Sequence, residues 1–242
     1  MISRVEVNEV CVFLARPEHE DGAVWNKLWG AGAVLADMML LEKDWLEDHR
    51  LHCLELGAGV GLGGVSACLA GLQVVASDHV QNAVDLIQQS AELNHIDGRL
   101  QAQRFNWNDE LPREWKETFE LVIGADILYM AMACAPVART IQKALKIGGL
   151  AVIVDPGRSN VEQFESACLE LQLDVQTCTI KNLNTPLCTL KRCHIVLVRK
   201  DKDSTTVAVK KVLERIQNQI ELYQRKSDQL VDEKSLGFCL KE

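Results

Sequence analysis

Gly57, Gly59, Gly61 and Gly64 crowd into one short stretch, with an acid, Glu55, just ahead of them and a second acid, Asp78, 21 positions after Gly57. A loop of this kind cradles a ligand where only backbone fits, and the acids beside it say which ligand. Two glycine patterns overlap here. Residues 59, 61 and 64 satisfy the G-x-G-x-x-G spacing of dinucleotide sites, whereas residues 57, 59 and 61 satisfy G-x-G-x-G. The apolar run 51–56 decides between them: the turn starts at Gly57, and in that register Leu62 stands where the dinucleotide pattern needs glycine. Charge agrees with the register. A pyrophosphate wants bare N–H groups at a helix N-terminus, and an acid beside the turn opposes a dianion. S-adenosyl-L-methionine carries an ammonium and a sulfonium and no phosphate. Glu55 is therefore tolerated, organising the turn and the methionine end, while Asp78 is placed to accept hydrogen bonds from ribose hydroxyls. Either acid alone reads equally well as a solvated strand end; both at these offsets around one loop make the stronger case.

The elements that must position these residues follow from periodicity. Short β-branched and apolar runs at 51–56, 73–77, 100–105, 121–124, 150–154, 173–180 and 194–199 alternate with helical patterns at 65–70, 81–93, 136–145 and 161–171. This alternation predicts an α/β fold of Rossmann-like type, a mostly parallel sheet of about seven strands with an antiparallel last strand. Pro136 opens its helix, and the glycines of "KIGG" end it before the next strand. Upstream, Leu28, Val34, Leu35, Met38, Met39 and Leu41 fit an amphipathic helix beginning near Gly32. Downstream, Val209, Val212, Leu213, Ile216, Ile220 and Tyr223 lie at helical spacing, and a helix over 205–231 would be roughly 40 Å long. Its stripe can seek the chain's own core or another chain, and the first is the better expectation. The expected organisation is an N-terminal segment and helix over the cofactor site (1–50), a core (51–200) and a helical tail (201–242).

Composition sets limits on function. The chain has 242 residues, 48% of them hydrophobic, enough for one sizeable core and too few for two ordinary domains with linkers. A net charge of −8 gives no global attraction to phosphate backbones, so a nucleic-acid partner is not expected. The nine cysteines form no CxxC pair and are odd in number, which fits reduced core thiols better than a disulfide framework or a zinc site. The first ten residues carry charges where a signal peptide needs an apolar core, and no apolar run approaches a membrane span. The expectation is a soluble cytoplasmic protein, with the nucleus as the alternative compartment and no membrane partner.

With these elements in place, "LELGAGVGLGGVSACLAG", "SDH", "FNWND", "GADILY" and the early "LWGAGAVLADMML" resemble the seven-strand S-adenosylmethionine methyltransferases of the lysine methyltransferase group called family 16. The likeness runs over residues 24–199 in order and spacing. The resemblance implies that Trp29 and Trp107 help enclose the cofactor, that Ala125 lines it, and that Gly57, Ala58, Gly59 and Asp78 contact it. Trp25 rivals Trp29 for its role, and the register favours Trp29. Asp126 and Tyr129 form the D-x-x-Y motif that the family places beside the transferred methyl. There Asp126 would attract and orient a lysine ammonium, and Tyr129 would hold the amine or wall its channel. The amine itself must be neutral and desolvated when it attacks, and burial beside a cationic cofactor favours loss of its proton to water. The stretch "DPGRSN" departs from the commonest members; Asp155 and Arg158 either shape the acceptor entrance or merely turn the chain.

The resemblance thus implies a methyltransferase acting on a lysine side chain of a protein substrate. Two other classes stay open. A small-molecule or nucleic-acid N-methyltransferase uses the same sheet, although "ADILY" lacks the paired prolines that help hold a flipped base. A non-catalytic binding module on a cofactor fold would be expected to have lost the loop glycines, Asp78 or Asp126, and all are present. Substrate identity, the number of methyl groups and the oligomeric state are not written in the motifs.

Overall fold

The chain, seen in a computed structural model, is described over residues 1–17, 24–40, 51–201 and 203–237, with residues 229–237 as backbone alone. It opens on an antiparallel hairpin, β1 (Ile2–Val7) and β2 (Val10–Ala15), which lies outside the seven expected strands. Next comes α1 (Gly30–Leu40), which starts two residues before the expected Gly32; Leu41, assigned to the same helix, lies outside the described residues. Ala31, Val34, Leu35 and Ala36 are fully buried, so α1 is an inner helix with little exposed face.

The glycine turn and its flanking elements follow: β3 (His52–Leu56), α2 (Leu62–Leu69), β4 (Gln73–Asp78), α3 (Gln81–Leu93) and β5 (Leu100–Arg104). After these come β6 (Phe119–Ala125), α4 (Cys134–Ala144), β7 (Leu145–Asp155), α5 (Asn160–Glu170), β8 (Asp174–Asn184), β9 (Thr189–Arg199) and α6 (Val207–Gly237). The seven-stranded sheet runs β5-β4-β3-β6-β7-β9-β8. It is parallel from β5 to β7, and β9 inserts antiparallel between β7 and β8. The α/β class and its antiparallel last strand are as expected. One difference lies in "KIGG". The helix ends at Ala144, and residues 145–149 already belong to β7, where Gly148 at φ 76° leaves no room for a Cβ against the carbonyl of Ser204.

Both sheet faces are buried, and the strands show it residue by residue. Along β7, Leu150, Val152 and Val154 join the core under α1, α2 and α6, while Ala151 and Ile153 join the opposite core under α4 and α5. The stripe of α6 packs on its own chain: Val209, Val212, Ile216, Ile220 and Tyr223 are buried in the first of these cores. The described cysteines are free thiols, and burial pushes Cys168 and Cys193 up to about 12. Cys239 lies outside the described residues. No helix among the described residues is long and apolar enough to cross a membrane. From β3 the chain builds the sheet outward on one side through β4 and β5, and returns through β6 and β7 on the other. That reversal opens a crevice above the C-terminal ends of β3 and β6, where such sheets bind ligands.

Candidate active site

The turn that leaves β3 forms the floor of the crevice. Gly57 and Gly59 have φ of 63° and 55°, a region side chains rarely enter. A Cβ at Gly57 would stand 2.8 Å from Ile127 and 2.9 Å from Trp107, and one at Gly59 would stand 2.9 Å from the carbonyl oxygen of Trp25. Four N–H groups of the loop are already committed. Ala58 donates to Ser77 O at 3.0 Å, Gly61 to Ala58 O at 2.8 Å, Gly59 to Asp78 Oδ2 at 2.9 Å and Gly64 to Glu55 Oε2 at 2.9 Å. Two of these donors, Gly59 N and Gly64 N, point at carboxylates, an arrangement that opposes a pyrophosphate at this turn.

Both flanking acids are buried. Glu55 lies across the first turn of α2, where Gly63 and Gly64 leave no space for a Cβ beneath its carboxyl group. Burial pushes this carboxyl from 4.5 up to about 8; the Gly64 N–H bond pulls it down and the charge of Asp78 adds to the rise. The folded chain therefore holds the Glu55 proton more tightly than the unfolded chain does. Stability from this group is full below about pH 4.5 and declines as pH rises toward about 8. Glu55→Gln is expected to flatten that decline, read as the urea midpoint between about pH 5 and about pH 8; a parallel slope in the variant would assign the trend to other groups. Asp78, at the end of β4, accepts from Gly59 N through one oxygen and from Val80 N at 3.0 Å through the other. It thereby ties the glycine turn to the start of α3.

These groups border a cleft of roughly 300 Å³. Of the residues singled out in the sequence, Trp29, Glu55, Gly57, Ala58, Gly59, Asp78, Trp107, Ala125, Asp126 and Tyr129 all line it. Gly61 is not on its described wall: it caps α2, and a Cβ there would meet Ile87 at 3.0 Å. Trp25 lines the cleft together with Trp29, so the two rivals share one site, and Trp29 stands on the rim with 39% of its surface exposed. Lys27, His79 and Ile127 also reach the wall, and sequence reasoning passed them over. Ile127 carries a usable signal, as an apolar residue between Asp126 and Tyr129 in "ADILY". A pocket with Asp78 and Asp126 on its wall, whose Gly59 and Gly64 N–H groups are taken by carboxylates, fits a cationic, phosphate-free adenosine compound such as S-adenosylmethionine.

At the end of β6 the backbone bends sharply. Asp126 sits at φ 61° and donates its N–H to Val154 O at 2.9 Å, which turns its side chain across to the neighbouring strand. Its carboxylate is ion-paired with Arg158 Nη1, and the side chain is only 7% exposed. Arg158 is held in turn by Asp155, which is fully buried. Asp155 Oδ1 accepts from Gly157 N at 2.9 Å and Arg158 N at 2.6 Å, and Asp155 Oδ2 lies 3.3 Å from the Arg158 guanidinium. The sequence offers Asp126 to an incoming ammonium; in the structure this carboxylate already carries a guanidinium. "DPGR" is thus more than a turn. Tyr129 stands beside Asp126 with 36% exposure, and burial, then the charges of Asp78 and Asp126, raise its hydroxyl above the ordinary phenol value. Among the described residues no cluster of His, Cys, Asp and Glu has the arrangement of a metal site.

A family model described as lysine methyltransferase matches residues 13–164. The chain is similar to the protein N-lysine methyltransferase METTL21A of Mus musculus, 33% identical over 106 residues that cover 43% of this chain and 47% of that protein. It is similar also to the calmodulin-lysine N-methyltransferase of Arabidopsis thaliana, 28% identical over 123 residues, 49% of this chain and 40% of that one. The chain spans about half the length of the curated relatives it matches. Among solved structures, P. horikoshii TYW2 in complex with MeSAdo has a TM-score of 0.54 over 83% of this chain and 72% of that chain at 13% identity, a likeness of fold.

Proposed function

Because the chain belongs to the lysine methyltransferase family, we propose that it methylates a lysine side chain of a protein substrate, using S-adenosylmethionine. One observation supports this reading above the others: the glycine turn, Asp78 and the Asp126–Tyr129 strand end open into a single cleft. The cofactor, when bound, supplies a methyl group made electrophilic by its sulfonium. The chain supplies the rest. Gly57, Ala58 and Gly59 provide a floor of backbone, Asp78 has lone pairs left for ribose hydroxyls, and Glu55 braces the turn from beneath. Trp29 and Trp107 wall the cleft, and Ala125 keeps the strand end small enough to leave it open. Asp126 and Tyr129 face the place where an acceptor amine would enter, and the apolar wall of Ile127 and Trp107 strips water from it.

The test is transfer of tritiated methyl into a cytosolic extract by the wild type and by Asp126→Ala, resolved by gel and then by amino-acid hydrolysis. The expected outcome is a discrete labelled protein that yields methyl-lysine, with the label lost in the variant while S-adenosylhomocysteine still binds. Label confined to RNA or small molecules would replace the protein acceptor by one of those. Cofactor binding with no transfer at all would favour the binding module.

A further inference from the structure

Asp126 marks the acceptor end of the cleft, yet the fold has given it a cation of its own. Arg158 reaches it from the loop after β7, and the arginine is fixed at both ends by one buried acid. Asp155 takes the Arg158 backbone N–H through Oδ1 and lies against its guanidinium through Oδ2. A guanidinium held in this way is a permanent part of the site and not a surface side chain that happened to fall there.

A bare carboxylate next to an acceptor lysine would hold it as the ammonium, which has no lone pair to attack with. A carboxylate already paired with arginine still has an oxygen to accept an N–H and orient the amine, but attracts the extra proton less. We propose that Arg158 is a positioning residue of the acceptor site: anchored by Asp155, it pairs with Asp126 so that this carboxylate orients the acceptor as a neutral amine instead of trapping it as an ammonium. The proposal rests on the methyl-transfer reading above. Its proton balance is simple: R–NH3⁺ gives one proton to water and becomes R–NH2 before it attacks.

Other charged and titratable groups of the described residues surround the pair. Tyr129 stands on the same loop, Asp78 and His79 line the cleft from the end of β4, Lys27 lines it ahead of α1, and Glu55, raised to about 8, lies beneath the glycine turn, so each pH profile is read against the wild type. On the far side, His194 of β9 pairs in register with Asp155, the Arg192 side chain packs against Gly157, and the thiols of Cys134 and Cys193 feel the charge of Asp155. Among the described residues, the cation that ion-pairs with the Asp126 carboxylate is Arg158.

The experiment uses the full chain, with the protein that the wild type labels purified from extract as substrate. Arg158→Gln removes the charge and Arg158→Lys keeps it. With Arg158→Gln, kcat at about pH 7 is expected to fall about tenfold and to recover by about pH 9.5, because the acceptor in the complex now keeps its proton to higher pH. KM is expected to fall with it, and Arg158→Lys to restore the wild-type profile. S-adenosylhomocysteine affinity should match the wild type in both, and a urea-unfolding cycle with Asp126→Asn should show that positions 126 and 158 are coupled. A loss of kcat equal at every pH, no loss at all, or no coupling in the cycle would overturn the proposal. If the wild type labels no protein, the methyl-transfer reading fails first and this proposal with it.

Discussion

Asp78→Asn is expected to weaken S-adenosylhomocysteine binding by about a hundredfold or more, measured by titration calorimetry on the folded variant. The size follows from what the carboxylate holds. One oxygen accepts from Gly59 N at 2.9 Å and the other from Val80 N at 3.0 Å, so one side chain fixes the glycine turn and the start of α3. Hydrogen bonds to a charged acceptor contribute about 1.5–3 kcal/mol each. An asparagine keeps one acceptor and turns an NH2 toward the remaining backbone N–H, so one bond is lost and a repulsive contact replaces it. The turn that positions Gly57 and Gly59 then loosens, and the acceptor offered to the ribose weakens at the same time. Affinity unchanged in the variant would mean that the acid only staples the backbone, and that the adenosine end of the ligand lies elsewhere in the cleft.

The same carboxylate shows why so much of this site can be read before the fold is known. Gly57, Gly59 and Asp78 are linked by the short geometry of one β-α-β unit, so their offsets along the chain carry their arrangement in space. The Arg158–Asp126 pair is different. It joins residues 32 apart, at the ends of adjacent strands β6 and β7. Sequence puts both on the ligand side of the sheet, but it cannot say that Asp126 takes a positive φ and swings its carboxylate onto the arginine. Gly61 errs the other way. It completes the glycine pattern, and its work is to let α2 begin close to Ile87.

The hairpin of β1 and β2 is hard to read in the sequence for a local reason. Val5, Val7, Val10, Val12 and Leu14 alternate as a strand pair should, but the turn between them is Asn8-Glu9. Both residues have positive φ, 47° and 65°, a geometry that usually calls for glycine at the second place. What holds Asn8 there is tertiary: its side-chain amide donates to Asp37 O on α1 at 3.0 Å. A signal that depends on a helix nearly thirty residues away is invisible to a local reading. In "KIGG" the commonest use of glycine after a helix is termination, whereas Gly148 serves the close approach of the chain at Ser204.

A chain ended after Ser204, before α6, is expected not to fold. Val209, Val212, Ile216, Ile220 and Tyr223 are each at most 6% exposed, spaced to put one stripe against β7, β8 and β9. Burial of side chains of this size contributes about 1.5–3 kcal/mol apiece, so the stripe as a whole amounts to roughly 8–15 kcal/mol before entropy is counted. That is of the order of the entire net stability of an ordinary domain, about 5–15 kcal/mol. Truncation would also uncover Ile180, Leu183 and Ile195 on the sheet face beneath. The helix also braces α1, because the Tyr223 hydroxyl donates to Asp37 on that helix, whose Gly32 lines the cleft. Tyr223→Phe leaves Asp37 without that donor and is expected to cost about 1–3 kcal/mol by urea unfolding, with the fold retained. Circular dichroism and size-exclusion chromatography of the truncated chain decide the larger question: a cooperative melt from a monomer would show that the stripe had been free for a partner, whereas loss of the melt would make α6 a structural part of the domain that holds α1 against the cofactor cleft.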